Sequence, residues 1–387
     1  MTERRLRVGI VGLHVGRSWA SRAHLPALRA LPDAFEVVGV ANATRASSEA
    51  AASAAGIPRA FNGVAELAAS PDVDLVTVTV KVPHHLELVK AVLAEGKHVY
   101  CEWPLGNGVR EAEEMAALAK RKGVVAVAGT QARVAPEVQF LRSLLADGFV
   151  GEVLSTTLTA WGSGWGPAIE TEAASYVLDQ ANGSTMLSIP IGHTLAAVRE
   201  VLGDVAELSA IVANRWPEVK ALDTGRTLAK TSADQVLVSA VLASGAPFSL
   251  HYRGGRPRSA PGLVWEINGS RGDIRITGPF GHAQLVPLTL EGASGEDKSF
   301  RPLEVPESFR EGVTGLDAMA GNVARVYARM AADVRRGTRT APSFDEAVDL
   351  HRTLEVIEAS AVSGQRFSLS PGQADVQSSS QLLGGWS

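Results

Sequence analysis

Gly9-Ile10-Val11-Gly12-Leu13-His14-Val15-Gly16-Arg17-Ser18 comes directly after the apolar run that begins at Leu6, and the reading of this stretch decides the fold. A strand that runs into glycines and then a helical stretch suits a dinucleotide-binding turn. Glycine allows the tight turn and lets backbone amides approach a pyrophosphate at a helix N-terminus. The strict G-x-G-x-x-G spacing is not met. Gly12 is in place, His14 and Arg17 stand where the second and third glycines belong, and Gly16 comes one residue early. Taken alone, an ordinary strand–turn–helix reads the same way. His14, Arg17 and the Ser18 hydroxyl are candidate donors to phosphate, and equally ordinary solvated loop residues.

The next hundred residues strengthen the dinucleotide reading. Leu6–Val11, Glu36–Ala41, Leu75–Val80, His98–Cys101 and Val124–Ala128 read as strands. Ser18–Leu31, Ala46–Ala55, His84–Ala94 and Arg110–Lys122 read as the helices between them. Such alternation predicts a parallel sheet with helices on both faces. After about residue 130 the pattern changes. A helix at Pro136–Ala146 leads into alternating runs at Val153–Ala160, Val205–Ala213, Gln235–Leu242, Phe248–Tyr252, Val264–Asn268 and Asp273–Thr277, separated by turn signals. Two helices, Asp317–Arg336 and Phe344–Ser360, are expected to close that half. The expected fold is thus an α/β Rossmann domain over residues 1–130. An α+β domain over 131–369 comes next, with a large, mainly antiparallel sheet for substrate binding and dimerisation. The Ser/Gln/Gly-rich residues 370–387 are expected to form a disordered tail.

Composition narrows the function. A net charge of -4 offers no basic stripe for nucleic acid. The single cysteine, Cys101, excludes a disulfide framework within the chain and fits a reducing compartment. No apolar stretch has the length of a membrane span, and no signal peptide is visible, so a cytoplasmic protein is expected. Nine histidines without paired carboxylate spacing give no metal site.

The second strand ends Val40-Ala41-Asn42-Ala43-Thr44-Arg45, where dinucleotide folds usually carry a carboxylate for the adenosine ribose. Its absence removes repulsion against a 2′-phosphate, and Arg45 could pair with that phosphate. NADP is therefore favoured over NAD, with Asn42, Thr44 and Arg45 as cofactor residues. Arg45 could also be no more than the first charged residue of a helix.

Gly96-Lys97-His98-Val99-Tyr100-Cys101-Glu102-Trp103-Pro104, Gly148-Phe149-Val150-Gly151-Glu152-Val153, and Asn182-Gly183-Ser184-Thr185-Met186-Leu187 with Gly192-His193 further on together carry a resemblance. Over about residues 5–370 the chain resembles the Gfo/Idh/MocA dinucleotide-dependent oxidoreductases. The Gly12-Leu13 to Ser18-Trp19 loop, Val80-Lys81-Val82-Pro83, Glu102-Trp103 and Gly192-His193-Thr194 are most similar to its branch containing the yeast galactose-pathway repressor, a regulator rather than a catalyst.

The resemblance implies a nicotinamide cofactor held by Gly12, His14, Gly16, Arg17, Ser18, Val80, Lys81, His85, Glu102 and Trp103. It also implies a sugar, cyclitol or related polyol substrate and hydride transfer at the domain interface. A homodimer or higher homo-oligomer is expected, without nucleic-acid or membrane partners. Trp103 stands where the family has its catalytic lysine; an indole has one donor and no titrating group, so it would stack a sugar or block the pocket. Ile189 replaces the acidic residue four before the family histidine. His193 remains as the candidate base, with a reference pKa of about 6.5. Lys81, at the carboxyl end of a parallel strand, is the second candidate base if buried; a solvated lysine paired with phosphate is the plainer role. Tyr176 and Asp179 are expected on the substrate side, Tyr176 as a further catalytic candidate. Glu102 and His85 have packing as their simpler role. The rival to the enzyme is a non-catalytic dinucleotide-binding regulator that acts through a protein partner.

Overall fold

The computed structural model describes residues 4–258 and 261–369; the tail expected over 370–387 lies outside the described residues. Six strands, β1 (Leu6–Val11), β2 (Phe35–Ala41), β3 (Arg59–Phe61), β4 (Leu75–Val78), β5 (His98–Cys101) and β6 (Ala126–Ala128), form a parallel sheet of order β3-β2-β1-β4-β5-β6. This is the doubly wound order, in which the direction of winding reverses between β1 and β4 and opens a crevice at the carboxyl edge. Helices α1 (Leu25–Arg29), α2 (Arg45–Ala55), α3 (Val64–Ala69), α4 (His85–Ala94) and α5 (Val109–Lys122) connect the strands. The apolar strands explain the burial: Val8, Ile10, Leu75, Val76 and Val99 are solvent-inaccessible.

The second part begins with α6 (Pro136–Ala146). Its main sheet contains β7 (Val153–Gly162), β9 (Val205–Ala213), β12 (Gln235–Leu242), β13 (Pro247–Gly254), β14 (Leu263–Gly269), β15 (Gly272–Gly278), β16 (Thr289–Ser294), β17 (Arg301–Pro302) and β18 (Phe367–Ser368). A three-stranded sheet combines β8 (Ala168–Ile169), β10 (Glu218–Ala221) and β11 (Thr227–Ala229). Helices α7 (Gly192–Leu202), α8 (Ala318–Arg336) and α9 (Phe344–Ser363) complete it.

Four details depart from the sequence expectations. The helix expected over Ser18–Leu31 starts as a widened turn at Ala20–His24, and α1 continues from Leu25. Pro26 has no N–H to offer the ladder at that joint. β3 and α3, between Gly56 and Val73, are additions to the expected elements, and β4 stops at Val78 rather than Val80. There the Thr79 amide and hydroxyl both donate to the Val11 carbonyl, at 3.1 and 2.8 Å. The large sheet is mainly antiparallel, as expected, and β7 with β13 is its parallel pair among the described residues.

The fourth departure concerns α8, which packs against the N-terminal half rather than closing the second sheet. Val323, Val326, Tyr327 and Met330 share a core with Val8, Ile10, Leu13 and Leu28. Tyr327 also enters a buried polar chain. Its hydroxyl lies 2.8 Å from His24 Nδ1 and 2.8 Å from Thr77 Oγ1, and His24 Nε2 lies 2.9 Å from the Glu102 carboxylate. With the Nε2 proton donated to Glu102, the chain runs in one direction. Thr77 donates to Tyr327, Tyr327 to His24, and His24 to Glu102.

Removing the hydroxyl leaves two buried groups without their partner, at about 1–3 kcal/mol. Tyr327→Phe should therefore lower the unfolding free energy by about that much in urea titrations. An unchanged midpoint and slope would show that the chain adds nothing to the fold.

Candidate functional site at the carboxyl edge

The loops after β1, β2, β4 and β5 meet at the carboxyl edge of the parallel sheet. In the first loop Gly12 has φ 97°, and a Cβ there would lie 3.0 Å from both Thr79 Oγ1 and Val80 Cγ1. Any larger residue would be strained and would push into the loop after β4. His14 and Arg17 are exposed. The backbone amides of His14 and Gly16 donate to the hydroxyls of Ser18 and Ser21, each at 2.9 Å. Ser18 thus shapes the loop through His14, whose carbonyl also accepts from its hydroxyl at 3.0 Å.

After β2, buried Asn42 links two loops. Its Nδ2 donates to the carbonyls of Leu13 (2.9 Å) and Ser47 (3.0 Å). Because both partners are carbonyls, the amide orientation is fixed by chemistry. Its Oδ1 is buried without a hydrogen-bond partner. Thr44 caps α2 in a reciprocal arrangement with Ser47. Arg45 is half-exposed and engaged: Nε lies 2.8 Å from Glu49, and Nη1 lies 3.7 Å from Glu66.

After β4 and β5 the chain is held by buried His85. Nδ1 faces the Pro104 carbonyl at 2.9 Å and Nε2 faces the Val80 carbonyl at 3.1 Å. Burial holds its pKa below the ordinary value despite these acceptors. His85 thus joins the loop after β4 to the loop after β5. Glu102 is likewise occupied, as the end of the His24–Tyr327 chain.

The second part of the chain covers this edge through residues 172–193. Asn107 Nδ2 donates to the Ala181 carbonyl at 2.9 Å. Lys81 Nζ lies 4.7 Å from the centre of the Tyr176 ring, so two of the three catalytic candidates come together across the interface. Lys81 is exposed, not buried as a base there would require. Burial raises the Tyr176 phenol. Asp179 caps the turn after it, accepting from the Ala181 amide (3.0 Å) and the Thr231 hydroxyl (3.2 Å), which gives it a structural task.

Trp103 is 5% exposed. Its Nε1 donates to the Ser188 carbonyl at 2.6 Å, and its ring packs on His351 with centroids 4.6 Å apart. A Cβ on Gly192 would lie 2.6 Å from that Nε1. The indole is therefore a wall between the domains, not an open face for stacking a sugar. His193, next in the chain, is 3% exposed, and its Nδ1 has no partner. Burial, reinforced by His282, holds its pKa down to about 3. The expectation of a histidine titrating near neutrality is overturned by this desolvation. Among the described residues, no group of three or more potential ligands is placed to hold a metal ion, and no helix is long and apolar enough to cross a membrane.

A Rossmann sheet with a crevice closed by a mixed-sheet domain defines a dinucleotide-binding protein of the oxidoreductase type. Residues 6–130 match the model of the oxidoreductase family with an NAD-binding Rossmann fold, and residues 136–278 match the Gal80p C-terminal domain. The first part of the chain thus matches the Gfo/Idh/MocA Rossmann domain, and the second part matches a Gal80-like domain. Two curated relatives cover nearly all of the chain. The galactose/lactose metabolism regulatory protein GAL80 of Saccharomyces cerevisiae is 25% identical, over 94% of this chain and 94% of its own. Dehydrogenase aclE of Aspergillus oryzae is 29% identical, over 94% and 98%. In fold, a super-repressor mutant of Gal80p from Saccharomyces cerevisiae superposes with a TM-score of 0.87 at 23% identity, covering 95% of this chain and 98% of that one.

The buried histidines set a pH dependence of stability. His193 is held at about 3, and His282 and His351 at about 4, by burial. Their ordinary value is 6.5. Below 6.5 the unfolded chain binds protons that the folded chain refuses, so stability falls with pH. The thermal midpoint should be level between about pH 8 and 7 and fall steadily from about 6.5 to 4. A midpoint unchanged between pH 7 and 5 would contradict the burial of these rings.

Proposed function

We propose that the chain is a nicotinamide-dinucleotide-dependent oxidoreductase acting on a sugar, cyclitol or related polyhydroxylated compound. The observation that carries this reading is the meeting of Lys81 and Tyr176 across the crevice. A levoglucosan dehydrogenase solved with NADH and L-sorbose shares the fold, with a TM-score of 0.81 and 22% identity over 95% of this chain.

The residues fit the cofactor. Gly12 keeps the first loop open, and the orphaned Asn42 Oδ1 is an acceptor suited to an adenosine ribose hydroxyl. A bound cofactor supplies the hydride acceptor or donor. Arg45 supports NADP, but a 2′-phosphate must displace Glu49 and compete with Glu66. Exposed pairs are worth about 0–1 kcal/mol, so the preference is modest, about several-fold. On the substrate side, Lys81 places positive charge where Trp103 cannot. A neutral His193 serves as a hydrogen-bonding partner that orients a hydroxyl.

One observation favours the second reading, a regulator that binds the dinucleotide and a protein partner. The lysine position of the family holds a buried, hydrogen-bonded tryptophan, and GAL80, a regulatory protein, resembles this chain along its length. The test is a turnover screen over polyols with NADP and NAD, beside calorimetric titration of each cofactor. Turnover should appear without a pH limb near 6.5, and Lys81→Met should lower it by about a hundredfold or more, the worth of a positioned electrostatic donor. NADP should bind several-fold more tightly than NAD, and Glu49→Gln should widen that gap. Tight cofactor binding with no turnover on any polyol would establish the regulator instead.

A further inference from the structure

A cavity of about 650 Å³ opens where α6, α7, α8 and the loop after α8 meet beside β6, and it shares no lining residue with the carboxyl-edge crevice. The loop is fixed to the Rossmann sheet, because the Ala128 amide donates to the Pro342 carbonyl at 2.9 Å. Arg133, Arg142, Arg199, Arg329 and Arg339 all line it. Three lining carboxylates, Glu200, Asp204 and Glu346, oppose those five guanidinium groups, and Asp349 behind the lining pairs with Arg199, which leaves the arginines in excess by one charge.

The pairing is uneven. Arg133 bridges Glu200 at 2.7 Å and Glu346 at 2.8 Å, Arg142 reaches Glu200 at 2.9 Å, and Arg199 pairs with Asp204 and Asp349. Arg329, half-buried, reaches only the Thr340 carbonyl, at 3.3 Å, and has no ion-pair partner among the described residues. Arg339 has none either, and is exposed. Burial pulls the Arg329 pKa down, Glu200 and Asp333 oppose that without touching it, and Arg133 and Arg142 reinforce it. A concave site that holds an uncompensated guanidinium among others of like charge lacks an anion.

We propose that this cavity binds a phosphate monoester of sugar-phosphate size. Guanidinium groups take phosphoryl oxygens in paired, charge-assisted hydrogen bonds. The volume lies in the range of small-molecule sites and exceeds what a lone phosphate fills. The carboxylates then have a use, as acceptors for sugar hydroxyls, whereas they would repel an extended acidic peptide. The ligand would tie Arg133 and Arg142, which come after β6, to Arg199 of α7 and Arg329 of α8. The site is thus a second ligand site between the two parts of the chain, independent of the redox reading.

The full chain is titrated by calorimetry with glucose 6-phosphate, inorganic phosphate and a hexaglutamate peptide. Glucose 6-phosphate should bind, inorganic phosphate should bind more weakly and compete with it, and the peptide should bind least. Arg329→Gln should weaken glucose 6-phosphate by about ten- to a hundredfold, the loss of a charge-assisted bond. Arg339→Gln, in an exposed loop, should weaken it several-fold and stands as the test if Arg329→Gln fails to fold. Lys81→Met should leave this affinity unchanged, which separates the site from the crevice. The proposal is overturned if neither phosphate probe binds, if both arginine variants bind as the parent does, if Lys81→Met abolishes the binding, or if hexaglutamate binds more tightly than glucose 6-phosphate.

Discussion

The bond from Trp103 Nε1 to the Ser188 carbonyl, 2.6 Å long, ties the two parts of the chain together beside the crevice. It joins the loop after β5 to the segment that leads into α7, and the indole fills the space that a side chain at residue 192 would need. Beside that contact His193 is buried, and along the same edge Tyr176 lies over Lys81 and Asn107 holds the Ala181 carbonyl. A lysine at 103 would bring an ammonium group into a buried place beside Gly192 and His351. A buried charge without a partner is costly. The tryptophan at this position is thus supported by its neighbours.

Much of the fold is legible in the sequence because it rests on local chemistry. Strands such as Val8–Val11 are buried and without a polar side chain on either face, helices stop at Gly56 and Gly123, and the first loop turns at Gly12. The parts that are not legible depend on distant partners. Periodicity shows that Val153–Ala160 is a strand but not that β13 lies parallel to it. The apolar face of α8 shows that the helix is buried, not that its target is β1 and α1. β3 has three residues, too few for any pattern to show.

The candidate site is legible in location more than in role. The loops at the ends of β1, β2, β4 and β5 do converge, and Lys81 and Tyr176 do meet. Burial, which the sequence does not print, changes the roles of the rest. It suppresses the proton affinity of His193 and turns Trp103 into a wall, and His85 joins two loops. The sequence marks Asn42 only as a replacement for a carboxylate; its unpartnered Oδ1 emerges once the carbonyls of Leu13 and Ser47 are seen to take both amide protons. The same desolvation bears on the choice between catalyst and regulator, because a His193 kept neutral by burial contributes through orientation rather than by taking a proton.

The central claim is that the crevice between the first βα loops and the segment over them holds the dinucleotide. Amide hydrogen exchange with and without saturating NADPH tests it directly, since protection reports which backbone a ligand orders. Slower exchange is predicted in residues 12–19, 42–48, 79–84 and 172–193 together. Protection confined to other segments, or no change at saturation, would contradict the placement of the cofactor.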